Sequence, residues 1–141
     1  MALLTEIGAM LSTAGVASSS GESGWYLALS LLPDSTVWPD KTVAVIQGNP
    51  GYAPDAATEV DRPVFQVLTR GESPRTTATA YQECETKARA AYTALHAKAP
   101  GSYSSHHYAG IWAEQEPFFA GYDDSDRVIF SQNFRAMRSR T

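Results

Sequence analysis

The sequence has few of the features that support proteins built on covalent cross-links or embedded in membranes. Its 141 residues include one cysteine, Cys84, so no internal disulfide can form. The longest apolar run, residues 25–32, is far shorter than the roughly 20 residues that cross a bilayer. Residues 1–10 contain no lysine or arginine, so the basic start of a secretory signal is missing, and we expect synthesis in a cytoplasm without export.

Positive charge is also scarce. Eleven basic residues stand against 15 acidic ones, and the net charge of −4 is opposite to the basic footprint of a general nucleic-acid binder. Hydrophobic residues make up 43% of the chain, which suits one ordinary globular domain. We therefore expect a single domain over residues 1–141, held by its hydrophobic core and without a membrane partner.

Hydrophobic spacing predicts the elements of the first half. One apolar face at helical spacing predicts a helix over residues 3–15; it consists of Leu3, Leu4, Ile7, Met10 and Leu11. A Ser-Gly loop follows at 17–24. Residues 25–32 fit a strand or a short buried helix, with the strand favoured, and the β-branched run at 42–46 predicts a buried strand.

Hydrophobic spacing and turn residues also predict the elements of the second half. Residues 64–69 predict a strand, and apolar residues stepping by three or four predict a long helix over 76–98, after an N-cap at Ser73. Two more strands are expected at 108–116 and 126–137, separated by a turn. The resulting fold class is α+β: a small mixed or antiparallel sheet of about four strands, an N-terminal helix and one long helix, in the order α-β-β-α-β-β.

Motifs of enzyme chemistry are missing from the sequence. There is no Gly-x-Ser-x-Gly elbow and no glycine-rich phosphate loop. Cys84 lies on the apolar face of the long helix, as a small buried hydrophobe would. His106 and His107, with the acidic run Asp123–Asp126, are the candidates for a metal or ligand site. Neighbouring residues of a strand point to opposite sides, however, and a turn before a strand explains the acidic run.

Charge is divided unevenly along the chain. Residues 1–61 hold seven acids and one base, a net charge of −6, whereas residues 62–141 hold eight acids and ten bases, a net charge of +2. The C-terminal arginines could contact nucleic acid. Alternatively, halves of opposite charge could stack head to tail with further copies and close a ring. The loop expected at 48–61 is the first place to look for a binding surface.

An ordered series of motifs resembles the small minor capsid or tail-terminator proteins of long-tailed bacteriophages. The resemblance covers about residues 3–138. It departs in the loop at 17–24 and the run at 25–32. Its motifs are Trp38-Pro-Asp-Lys-Thr-Val-Ala-Val-Ile46, Arg62-Pro-Val-Phe-Gln-Val-Leu-Thr-Arg-Gly71, Tyr108-Ala-Gly-Ile-Trp-Ala-Glu-Gln-Glu-Pro117, Gly121-Tyr-Asp123 and Arg127-Val-Ile-Phe-Ser-Gln-Asn-Phe134.

The resemblance implies a structural role in the virion, at the junction of head and tail. Such proteins form a ring, typically of six copies, that caps the head-proximal end of the tail tube, stops tube polymerisation and meets the head connector. A head-side stopper, adaptor or minor capsid protein is the alternative within this class. The expected partners are further copies of the chain, the major tail tube protein and the connector. DNA would pass through without specific binding, and neither a catalytic residue nor a cofactor is implied.

A ring requires two unlike contact surfaces and a lumen. We expect contacts between copies from the long loop and the arginine-bearing strands; the candidates are Tyr52, Arg62, Arg70, Arg127 and Arg135. Acidic side chains that line the lumen would repel phosphate and keep DNA moving; the candidates are Asp55, Glu59 and Asp61.

Overall fold

The protein is a curled, mainly antiparallel β-sheet with two helices on one face. A computed structural model describes residues 3–22, 24–32, 39–47, 52–55, 60–103 and 106–139, with the backbone alone at 52–55 and 60. The helices are α1 (Leu3–Thr13) and α2 (Ala80–Leu95). The strands are β1 (Tyr26–Leu29), β2 (Thr42–Gln47), β3 (Tyr52–Asp55), β4 (Val60–Arg62), β5 (Val64–Arg70), β6 (Gly101–Tyr103), β7 (His106–Ala113), β8 (Phe118–Tyr122) and β9 (Val128–Ser139).

Strand β9 is the centre of the sheet. Along one edge it pairs with β5 and then β4; along the other it pairs with β8 and then β7, in every case antiparallel. Strand β2 continues the sheet beyond β5, and β1 joins β2 in parallel. Strand β3 extends β4, and β6 extends β7. One strand of 12 residues therefore holds both halves of the sheet together.

The two helices cover one face of this sheet and bury the core. Ile7 and Leu11 of α1 pack with Phe65, Val67 and other buried side chains of the strands. Phe65 is the register partner of Phe134 on β9, and their rings stack with centroids 5.2 Å apart. A smaller cluster joins Ala80, Cys84 and Ala88 of α2 to Val128 and Phe130 of β9. The position of helix α2 therefore depends on packing against β9, just as the neighbouring strands depend on pairing with it.

The long helix begins and ends inside its predicted range, for local reasons. Before the helix, the backbone N–H groups of Thr76 and Thr77 donate to the carbonyl of Ser73, which makes a separate turn. At the other end, the N–H of Ala97 donates to the carbonyl of Ile111 on β7, and the φ of Ala97 is +57°. This bond to a neighbouring strand ends the helix before Lys98.

The fold class predicted from the sequence is wrong in the extent of the sheet. The described residues form nine strands and are mainly β, not a four-strand α+β arrangement in the order α-β-β-α-β-β. Strands β3 and β4 lie in the segment expected to be a loop, and β8 lies where a turn was expected. All three strands are short, and β3 contains Pro54 and β8 contains Gly121, residues that favour turns. Their pairing is long-range: β4 and β8 pair with β9, and β3 pairs with β4.

Neither described helix has the length and hydrophobicity needed to cross a membrane.

Replacing Phe65 with alanine tests the stacked core. The side chain is fully buried, so we expect Phe65→Ala to lower the free energy of unfolding by about 3–5 kcal/mol in urea titrations. Phe118→Ala is the control at an exposed position and should cost at most about 1 kcal/mol. Equal losses in the two variants would contradict this placement of the core.

Candidate functional site

A groove opens on the face of the sheet opposite the helices, where β4, β7 and β9 meet. Its volume is about 840 Å³. We call it the outer groove; it is lined by Arg62, Trp112, Ala113, Glu114, Arg135, Ala136 and Met137. The alternation of β9 explains its position: Phe134 and Ala136 point into the core, and Arg135 between them points to the other face.

The groove presents an exposed indole on one side of two basic side chains. Trp112 is the register partner of Arg135, and Arg135 Nη2 donates to Glu114 Oε1 at 3.0 Å. A Cβ added at Gly110 would lie 2.7 Å from the Trp112 ring, so the ring needs a glycine at this position. Tryptophan and arginine are the residues that most often dominate protein–protein contacts. The groove therefore has the chemistry of a protein-binding surface.

The β3–β4 hairpin brings other predicted residues to this corner. Tyr52 of β3 is the register partner of Arg62, and Asp55 ends the same strand. Asp61 is opposite Arg138, and its carboxylate lies 3.9 Å from Arg138 Nε. Glu59 lies outside the described residues. Arg62 and Arg135, predicted separately, line one groove.

Arg70 and Arg127 lie elsewhere and are buried, with 1% and 4% of their surfaces exposed. Arg70 donates to the backbone carbonyls of Pro39 at 2.9 Å and Asp40 at 3.0 Å. Arg127 Nη1 lies 3.3 Å from the Asp40 carboxylate, and its Nε donates to Asp123 at 2.7 Å. Within the single chain, both arginines fasten the segment that leads into β2.

The acidic run before β9 forms a turn that is organised by Asp123. Its Oδ1 accepts the backbone N–H groups of Ser125 and Arg127. Burial raises the pKa of Asp123, but these bonds and the Arg127 guanidinium outweigh that effect and hold the pKa below its usual value. Asp126 pairs with Arg75 at 2.9 Å. These carboxylates therefore shape a turn.

The two histidines lie on opposite sides of β7. His106 is buried and His107 is exposed, as alternation along a strand requires. The backbone N–H of His107 donates to Ser139 Oγ. In the described ranges, no three His, Cys, Asp or Glu side chains come together as metal ligands would.

The partner of His106 is Glu6 of α1, at the centre of a buried ionic cluster that sequence reasoning missed. His106 Nδ1 lies 2.8 Å from Glu6 Oε2. Glu6 Oε1 accepts the Tyr108 hydroxyl at 2.9 Å and Arg138 Nη1 at 2.8 Å. The cluster joins α1 to β7 and β9. A signal was available, since Glu6 lies on the apolar face of α1 beside Leu3 and follows the same spacing.

The cluster sets the ionisation of its members. Burial raises the pKa of Glu6, but the hydrogen bonds from His106 and Tyr108 and the charges of His106 and Arg138 outweigh it, so the pKa lies below its usual value. Burial, and the hydrogen bond to Glu6, raise the pKa of Tyr108. Glu6 is therefore held as a carboxylate and Tyr108 as a neutral donor.

Replacing Glu6 with glutamine tests this cluster. The change leaves Arg138 without its buried counter-charge, and we expect it to lower the free energy of unfolding by about 3 kcal/mol near neutral pH. Because the pKa of Glu6 is lower in the folded protein, the carboxylate stabilises the fold above the unfolded-state pKa of 4.5. That stabilisation is lost as the pH falls from 4.5 through the folded-state pKa.

Urea titrations at a series of pH values from neutral to acid measure this effect. The loss of stability on acidification should be smaller in Glu6→Gln than in the unsubstituted protein. Glu22→Gln removes an exposed carboxylate and serves as the control. An acid profile of Glu6→Gln that is identical to that of the unsubstituted protein would contradict the assignment.

Comparisons with known proteins agree with this architecture. Among solved structures, a chain in the virion of a native gene transfer agent (GTA) particle is similar in fold, with a TM-score of 0.60 and 15% sequence identity. The alignment covers 94% of this chain and 84% of that one. No curated protein sequence matches the chain. A family described as bacteriophage tail terminator protein matches residues 10–139. That match spans most of the sequence and confirms the resemblance on which the sequence analysis relied, and the chain belongs to the bacteriophage tail terminator protein family.

Proposed function

We propose that copies of this chain form a ring, of six subunits, at the head-proximal end of a phage tail tube. The ring stops polymerisation of the major tail tube protein and presents its other side to the head connector. The observation that carries this proposal is the family match over residues 10–139. The chain would be made in the host cytoplasm and incorporated into the virion. Because the role is performed by surfaces, it requires neither a catalytic residue nor a cofactor.

The outer groove supports the proposal as a contact surface. A ring with head-to-tail contacts needs two different patches on each subunit. Arg62, Arg135 and an exposed indole line this groove, and Tyr52 lies on the strand next to Arg62. We assign these three residues to contacts with a neighbouring subunit. Arg70 and Arg127 contribute indirectly, because they hold the Pro39–Asp40 segment in place.

The acidic residues of the hairpin segment suit a lumen through which DNA passes. Asp55, Glu59 and Asp61 fall within seven residues of one another. Carboxylates facing phosphate repel it, which leaves no site at which DNA would be retained. Arg138 lies 3.9 Å from Asp61 and partly offsets that charge, so Asp55 and Glu59 would provide most of the repulsion.

Capping of purified tail tubes tests the proposed function. Particles made without this chain should have tubes of uncontrolled length, and adding the purified chain to tubes should place a ring at one end in electron micrographs. The reconstructed ring should have the three carboxylates of the hairpin segment on its inner wall. Binding to the head connector with no effect on tubes would instead indicate a head-side stopper and would contradict the proposal.

Charge reversal in the outer groove tests the assigned contact. We expect Arg62→Glu/Arg135→Glu to raise the concentration needed for capping at least about tenfold, which corresponds to about 1.4 kcal/mol. Arg89→Glu is the matched control, since this exposed arginine lies on α2, on the other face of the sheet. The double variant should unfold like the unsubstituted protein. Capping at the original concentration would exclude the groove from the contact.

A further inference from the structure

The edge strand β8 is exposed and aromatic. Phe118, Phe119 and Tyr122 are all exposed, and Tyr122 most of all, with 56% of its surface accessible. The strand contains no charged residue. Soluble proteins usually protect edge strands with charges, proline or a covering segment, because an open edge pairs with other chains. Strand β8 is short and bulged, but it has no charge, and its exposed side chains are aromatic, which indicates a contact.

The outer edge of the neighbouring strand, β7, is covered by other parts of the chain. The outer edge of β7 is covered by β6, by the N–H of Ala97, which donates to the carbonyl of Ile111, and by His96 Nδ1, which accepts the N–H of Ala113. Strand β8 pairs with β9 on one side, and no described strand pairs with its other side. Unlike β7, strand β8 therefore leaves its outer edge open among the described residues.

Aromatic contacts with α2 and β9 hold the side chains of β8 in place. The Phe119 ring lies 5.4 Å from that of Tyr81 on α2 and 6.0 Å from that of Phe130 on β9. The Tyr122 ring packs edge-on against Phe119 at 5.2 Å. Side chains that are already ordered lose less conformational entropy when they bind. The patch is preorganised for a partner.

The opposite end of the sheet has a second uncharged edge. Among the described strands β1 is outermost there, and Ser18 pairs with its beginning through bonds with Trp25 and Leu27. Beyond that point Leu29 and Leu31 are exposed, with 58% of Leu31 accessible. Within the described residues, the large exposed hydrophobic side chains fall mainly at these two edges of one sheet.

We propose that the β8 edge of one copy packs against the β1 edge of the next copy around the ring. This inference rests on the proposed function and names a contact between neighbouring subunits in addition to the outer groove. The occupant is a second copy because the two edges are unlike, uncharged and at opposite ends of the same sheet, which is the arrangement that a head-to-tail contact requires. Aromatic side chains of one edge would bury the leucines of the other.

The strand directions agree with this contact. Strand β8 is antiparallel to β9, β9 to β5, and β5 to β2, while β1 is parallel to β2, so β8 and β1 run in opposite directions. Rotation about an axis along the strands preserves those directions. The edges of neighbouring copies would then meet antiparallel, and the ends of the strands would face the tube and the connector.

Cross-linking in assembled tails tests the contact. Phe118 at the start of β8 and Leu31 just beyond the end of β1 would lie near each other in an antiparallel contact. Both side chains are exposed, so Leu31→Cys and Phe118→Cys leave the core intact. The native Cys84 does not interfere, because it is buried and burial raises its pKa to about 12. Particles carrying both substitutions, treated with a short bis-maleimide, should give a ladder of covalent multimers on denaturing gels. Each single variant should remain monomeric, and so should the control Thr93→Cys/Phe118→Cys, in which position 93 lies on the exposed side of α2.

Three other results would overturn the inference. Dimers from Phe118→Cys alone would show that β8 meets β8, which closes a pair and not a ring. A ladder of equal strength from the Thr93 control would show that the reaction does not report this contact. Tails that carry the ring but give no ladder with the double variant would show that the edges do not meet. The last result leaves the proposed function intact, whereas absence of the chain from tail ends contradicts the proposed function itself.

Discussion

The structure depends on the pairing of one strand along both of its edges. Strand β9 is bordered by β5 and β4 on one side and by β8 and β7 on the other, and α2 packs across it. Its side chains alternate between the core and the outer groove: Phe134 points inward and Arg135 outward. A slip of one residue would reverse this pattern, burying a guanidinium and exposing a stacked phenyl ring. The register that builds the core therefore also builds the proposed contact surface.

Buried polar groups have a different task in this molecule. Glu6 draws an imidazole, a phenol and a guanidinium onto one carboxylate and so ties the first helix to the last strand. Arg70 and Arg127 hold the entry to β2. These groups are largely satisfied within the chain. The arginine–tryptophan groove and the two uncharged strand edges are the surfaces that we propose for contacts with partners. The buried charges thus stabilise the fold, and the exposed surfaces are left for the proposed contacts.

The sequence predicted those elements whose information is local. Apolar residues at helical spacing located α1 and most of α2, and β-branched runs located β2 and β5. The order of motifs along the chain also identified the family. Strand β8 shows the limit of this approach, because Phe-Phe-Ala-Gly-Tyr reads as a turn around Gly121. The same residues form a strand because β9 provides the hydrogen-bonding partner, and a bulge beside Gly121, whose φ is +124°, accommodates the bend.

By itself, then, the sequence determined the two helices, the two strongest strands and membership of a tail terminator family, since each is encoded in spacing or order along the chain. Tertiary structure alone decided the extent of the sheet and the role of each charged residue. Arg70, Arg127 and Arg135 are the same residue type. Arg70 and Arg127 are buried and bind backbone and carboxylate oxygens, whereas Arg135 lines an open groove. That difference depends on contacts with residues that are tens of positions away in the sequence, so no local sequence pattern predicts it.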